Sequence, residues 1–94
     1  KYPEVRRDFA LLLDENVTFD SILTIAKQSE KQLLKSVNLF DVYQGTGLAE
    51  GKKSLAIGLT FQGQSRTLDE TEVAGAVDQV LDSLREKLDI ELRS

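Results

Sequence analysis

Lys52–Gly63 reads KKSLAIGLTFQG, and from Leu55 onward every second residue is a large hydrophobe: Leu55, Ile57, Leu59 and Phe61. Between them stand Ser54, Ala56, Gly58, Thr60 and Gln62, all small or polar. Successive side chains of a strand point to opposite faces of its sheet, so this strand has one greasy face and one nearly bare face. Leu39–Gly45, LFDVYQG, has the same two-sided character. Alternation puts Phe40 and Val42 on its greasy side, with Asp41 and Tyr43 on the other. Between the two runs Gly45, Gly47 and Gly51 supply permissive backbone. The pattern predicts a hairpin whose open face is low and flat, with a tyrosine and a carboxylate at its edge. Such a surface suits a flat ligand.

Working outward, Val5–Leu13 reads as a strand, with Phe9, Leu11 and Leu13 alternating with Asp8, Ala10 and Leu12. After the polar turn Asp14-Glu15-Asn16, Thr18 is placed to cap a helix. Val17 and Ile22 have the spacing of a hydrophobic staple. Phe19, Ile22, Ile25, Ala26, Ser29 and Leu33 form one face of that helix. A second strand is expected over Val37–Tyr43. Its apolar phase changes from Val37 and Leu39 to Phe40 and Val42, which predicts a bulge or burial of both faces at its start. The third strand is Ser54–Gln62. Asp69 and Glu72 make a capping box, and Val73, Val77, Val80, Leu81, Leu84 and Leu88 fall on one helical stripe. Gly75 costs that helix up to ~1 kcal/mol against alanine, which suggests close packing on the sheet. Ile90-Glu91-Leu92-Arg93 is a short last strand.

The order β-α-β-β-α-β predicts an α+β, ferredoxin-like sandwich: a four-stranded antiparallel sheet with two helices on one face. Parity turns Phe40, Val42 and Leu92 toward the helices, together with Leu55, Ile57, Leu59 and Phe61. Asp8, Ala10, Leu12, Asp41, Tyr43, Ser54, Ala56, Gly58 and Thr60 make the open face, with no large exposed apolar patch.

Composition narrows the function classes. The 94 residues suffice for one domain, 1–94, with 40% hydrophobic and 30% charged residues. Histidine and cysteine are absent, which removes the commonest general base, the commonest metal ligand and any disulfide. No apolar stretch reaches the ~20 residues of a membrane helix. The chain lacks an initiator methionine, and Lys1-Tyr2-Pro3-Glu4 reads as a linker, so a fragment of a longer chain is expected. The net charge is −4, but eight acidic residues against three basic lie from Asp69 onward, leaving nine basic against eight acidic before it. Asp8 and Asp41 are available as an acid and base pair, but no nucleophile or ligand cluster accompanies them, and ion pairing with neighbours such as Arg7 accounts for them better. Gly45-x-Gly47 opens no helix, so a phosphate cradle is not implied. Catalysis within the domain is not expected.

The open face has two uses. Its small residues would let another domain, a second copy or a small ligand dock, making a ferredoxin-like protein-interaction or regulatory module. Alternatively Tyr43 stacks on an unpaired base while Asp41 and Ser54 read its edge, as sheets commonly do with single-stranded RNA. Lys52, Lys53 and Arg66 flank the same face as phosphate contacts.

LFDVYQG, KKSLAI, RTLDETEV, the opening YPEVRRDFALLLD and the terminal leucine-arginine, all in order and spacing, resemble one family. It is the ferredoxin-fold anticodon-binding domain that closes the beta subunit of bacterial phenylalanyl-tRNA synthetase. The resemblance spans the chain. It implies a non-catalytic, RNA-binding domain that holds the anticodon stem-loop of phenylalanine tRNA, with Tyr43 stacked on the first anticodon base. Asp41, Ser54 and Ala56 stand beside that base, and a larger side chain at Ala56 would obstruct it. Arg7 and Asp8 match an arginine-aspartate pair in the first strand, partly structural and partly RNA-contacting. For the parent, the resemblance implies a cytoplasmic alpha2-beta2 ligase of protein biosynthesis. ATP and magnesium would be used in its alpha subunit, and no cofactor is implied in this domain.

Overall fold

The computed structural model describes residues 2–93. The expected linker begins at Lys1, outside the described residues. The elements run β1 (Glu4–Asp14), α1 (Phe19–Ser29), β2 (Leu34–Tyr43), β3 (Lys52–Gln62), α2 (Glu70–Leu88) and β4 (Glu91–Leu92). The sheet order is β2-β3-β1-β4, antiparallel throughout. This is the ferredoxin-like α+β arrangement predicted from the element order.

The local signals act as their chemistry dictates. The Thr18 side chain accepts from the Ser21 N–H at the start of α1. Asp69 and Glu72 form a reciprocal capping box on α2. Asp69 accepts from the Glu72 N–H at 2.8 Å, and Glu72 accepts from the Asp69 N–H at 3.3 Å. Gly45, Gly47 and Gly51 all sit at positive φ in the β2–β3 connection, where L side chains are strained.

One core lies between the sheet and the helices. Leu11, Leu13, Ile57, Leu59 and Phe61 from the sheet meet Ile22 and Ala26 of α1. Val73, Ala76, Val77, Val80, Leu81 and Leu84 of α2 complete it. Each fully buried aliphatic side chain contributes ~1.5–3 kcal/mol. Among the described residues no buried side-chain polar atom lacks a partner. A core closed within the chain is what independent folding requires.

Four expectations need correction. First, α1 stops at Ser29, so Leu33 is not part of its face. Glu30 ends the helix, and its buried carboxylate accepts from the N–H groups of Gln32, Leu33 and Leu34 at 3.0, 2.6 and 2.9 Å. That turns the chain at once into β2, which starts at Leu34 and not at Val37. Second, Gly75 is exposed, and a Cβ there would meet nothing within 4 Å, so it marks no close packing. Third, Val42 and Leu92 share the helix-side parity of Leu55 and Leu11 but are 52% and 38% exposed. Both stand on the outer strands β2 and β4, at the sheet's edges, whereas their partners Leu55 and Leu11 on the central strands are buried.

The fourth correction concerns Phe40. The β2–β3 register pairs Leu39 with Ile57 and Asp41 with Ala56, skipping Phe40. This is the predicted bulge, one extra residue against its partner strand. The extra residue breaks simple alternation, so Phe40 joins Asp41 on the open face. Its ring lies under the guanidinium of Arg6, which shares the open face through its pairing with Thr60. Leu39, Phe40, Val42 and Tyr43 are all exposed, so β2 does present large apolar side chains to solvent.

Candidate nucleic-acid interface

Directly paired residues on neighbouring strands share a face, so the register defines the open face. Tyr43 pairs with Ser54, which pairs with Leu12; Asp41 pairs with Ala56, which pairs with Ala10. Asn38 pairs with Gly58, which pairs with Asp8. The floor next to Tyr43 is therefore small on β3, at Ser54 and Ala56, and at Ala10 of β1, while half-buried Leu12 stands in Tyr43's own row two strands away.

Across that floor reaches a residue that strand parity had not singled out. The backbone N–H of Arg93 donates to the Ala10 carbonyl at 2.7 Å, extending the β4 pairing by one residue. Its guanidinium carbon lies 5.6 Å from the centroid of the Tyr43 ring. Tyr43 leans in from β2 and Arg93 from β4, the two outer strands. The Tyr43 hydroxyl donates to the Thr46 carbonyl in the hairpin loop, which steadies the ring. Tyr43 remains 39% exposed, whereas Ser54 beside it is only 5% exposed. Ser54 is thus on the open face but covered. Asp41 is exposed and makes no ion pair among those described.

A second cluster sits further along β2. Arg6 Nε donates to Asp8 Oδ1 at 2.6 Å, and the Arg6 guanidinium carbon lies 5.2 Å from the Phe40 ring centroid. A Cβ on Gly58 would fall 2.7–2.9 Å from the Arg6 head group. The glycine is therefore the seat on which that guanidinium lies.

The remaining basic residues do not converge on Tyr43. Arg7 has the parity of Leu59, on the helix side, and its Nη2 donates to Glu70 in the first turn of α2 at 2.6 Å. Asp8 is bound by Arg6, not by Arg7. Lys53 pairs with Leu13, again helix-side, while Lys52 takes the open-face parity and is bonded to Asp14 at 3.1 Å. Arg66 follows the far end of β3 and pairs with Glu72. At ~3.3 Å per residue, that end lies ~26 Å along the strand from Ser54. Only Tyr43, Asp41, Ser54 and Ala56 of the expected residues come together. Arg93, Arg6 and Phe40 are additions. The phase change in LFDVY was the available signal for Phe40, but nothing local marked the two arginines.

The acidity has a clear place. Asp78, Asp82 and Glu86 are exposed on α2, across the sheet from the open face. No group of three or more carboxylates that could hold a metal occurs among the described residues. Nor is any helix among them long and apolar enough to cross a membrane.

Comparison with known proteins gives a consistent answer. The family model described as "Ferredoxin-fold anticodon binding domain" matches residues 1–93. The chain is 45% identical to the phenylalanine–tRNA ligase beta subunit of Pseudomonas fluorescens over 99% of its own length. It is 46% identical to that of Lactococcus lactis and 45% identical to that of Bacteroides fragilis, over the same share. It spans only 11–12% of the length of these relatives. With its four-stranded sheet, its pair of helices on one face and a match along nearly all its length, the chain belongs to the ferredoxin-fold anticodon-binding domain family.

Proposed function

We propose that this chain is the part of a phenylalanine–tRNA ligase beta subunit that holds the anticodon stem-loop of phenylalanine tRNA, stacking the first anticodon base on Tyr43. The observation that carries the reading is the half-exposed Tyr43 ring at the edge of a floor of small residues, with exposed Asp41 on the same strand and the Arg93 guanidinium beside it. An aromatic face binds any base by stacking, and a neighbouring cation favours the polyanion. Asp41 accepts from donors on the base edge. Ala56 leaves the floor low where a base must lie. Ser54 reaches the base once the cover over it opens, because it is buried in the free protein. Asp8 acts through Arg6, and Arg7 serves the junction with α2. Lys53 and Arg66 meet only backbone phosphates lying well away from the stacked base. The acidic face of α2 points away from the RNA.

The domain supplies binding, not chemistry. Aminoacylation, with its ATP and magnesium, belongs to the alpha subunit of an alpha2-beta2 cytoplasmic enzyme. Gripping the anticodon adds recognition at a distance from the acceptor end.

Fluorescence titration of the chain with a phenylalanine anticodon stem-loop at low salt tests this. Stacking is worth ~1–3 kcal/mol per base, so Tyr43→Ala should bind about fivefold to 150-fold more weakly. Equal binding by variant and parent would sink the stacking role. A concentration-dependent dimer in sedimentation, closed through this face and unaffected by RNA, would instead favour the protein-interaction module.

A further inference from the structure

We infer that Phe40 and Arg6 form a second base-stacking platform, which takes another unpaired nucleotide of the same RNA strand whose base lies on Tyr43. The inference rests on the anticodon reading above but concerns residues that reading does not use. Phe40 is 53% exposed, the most exposed of the large apolar side chains described, and the bulge is what brings it to the open face. Nothing in the packing of the core needs an aromatic ring there.

The ring is one half of a prepared assembly. Arg6 lies over it at 5.2 Å, held in place by Asp8 at 2.6 Å and seated on Gly58, where a Cβ would collide with it. The Asp8 ion pair and the Gly58 seat thus hold one guanidinium beside one aromatic ring. Unpaired RNA bases stack on both kinds of plane, and sheet-based RNA binders stack two or three bases on one sheet. Phe40 and Tyr43 are three residues apart on one strand, at most ~10 Å, which suits nucleotides close together in one loop. The positive head group complements the RNA charge. The occupant this favours is a nucleobase of the bound loop, not a separate protein.

The test is a coupling experiment with an anticodon stem-loop carrying one abasic site at each loop position in turn, titrated against the parent chain, Tyr43→Ala, Phe40→Leu and Arg6→Lys. Phe40→Leu keeps an apolar side chain at an exposed site and removes the ring; Arg6→Lys keeps the charge and removes the plane. The expected result is two different loop positions whose abasic penalties, each about fivefold or more, vanish separately. One vanishes only in Tyr43→Ala, the other in Phe40→Leu and in Arg6→Lys. If Phe40→Leu fails to fold by circular dichroism, Arg6→Lys alone carries the coupling. If both platform variants retain every abasic penalty while Tyr43→Ala loses one, the second platform is overturned and the anticodon reading stands. If they lose the same position as Tyr43→Ala, there is one site and the inference fails. If Tyr43→Ala also retains every penalty, or the parent does not bind, both fall.

Discussion

The Arg93 guanidinium lies 5.6 Å from the centre of the Tyr43 ring, having crossed the sheet from β4 to reach it. The open-face cations Arg6, toward the other end of β1, and Lys52, at this end of β3, are bonded to Asp8 and Asp14. Arg93 has no ion pair among those described, so its charge is available to an RNA. Arg93→Ala should weaken stem-loop binding and reduce the dependence of log affinity on log salt by about 0.7–1, the loss of one phosphate neutralisation. Tyr43→Ala should weaken binding with the salt slope unchanged. Titrations at four or more salt concentrations separate the two. A slope unaltered by Arg93→Ala would show that its charge does not meet the RNA backbone.

Gly58 carries a more local prediction. Its Cβ would come within 2.7 Å of Arg6 Nε, but the obstacle is the end of a flexible side chain and not backbone. Arg6 is half-exposed and can swing away, so Gly58→Ala should change stability by less than about 1 kcal/mol in urea denaturation. It should nevertheless separate Arg6 from Phe40. The ring-current shifts of the Arg6 side-chain protons would report that, moving toward random-coil values. Unchanged shifts would mean that Gly58 is not the seat of the guanidinium.

What the sequence made legible was whatever a few neighbouring residues decide. Thr18 and the Asp69–Glu72 pair fix helix starts through hydrogen bonds three residues long. The alternation Leu55-Ile57-Leu59-Phe61 fixes a face because strand periodicity is two. Tyr43, Asp41, Ser54 and Ala56 followed from the same parity. Phe40 did not, because a bulge inserts one residue and reverses the parity rule within a single step. Its phase break was visible, while the side it favoured depended on the β3 register. Arg93 and Arg6 were illegible for a different reason. Each acts on a ring belonging to another strand, and such contacts exist only once the strand order is set. The end of α1 was hidden as well, since Glu30 stops the helix by bonding three N–H groups that follow it, in a pattern without a common local signature.

That Glu30 carboxylate should be among the costliest polar side chains to remove. It is 8% exposed and accepts from three consecutive backbone N–H groups. Hydrogen bonds to charged groups contribute ~1.5–3 kcal/mol, and leaving a buried donor unsatisfied costs ~1–3 kcal/mol. Water admitted by the smaller side chain recovers part of this. Glu30→Ala should therefore lose about 2–4 kcal/mol in chemical denaturation. Glu30→Gln keeps an acceptor oxygen and should lose less. A loss under about 0.5 kcal/mol for the alanine variant would mean that the turn holds without its side-chain acceptor.

Gly75 supplies the opposite sign. It lies inside α2, between Glu70 and Leu88, on an exposed position where a Cβ meets nothing within 4 Å. Its φ is helical, not positive, so alanine adopts the same backbone without strain. Alanine also restricts the unfolded chain, and both effects favour the folded state. Gly75→Ala should stabilise the domain by about 0.5–1 kcal/mol, a gain measurable as a higher urea midpoint at constant m-value. RNA affinity should not change, because α2 lies on the other side of the sheet from Tyr43 and Phe40. A destabilised variant would overturn the reading of this position as open and unstrained.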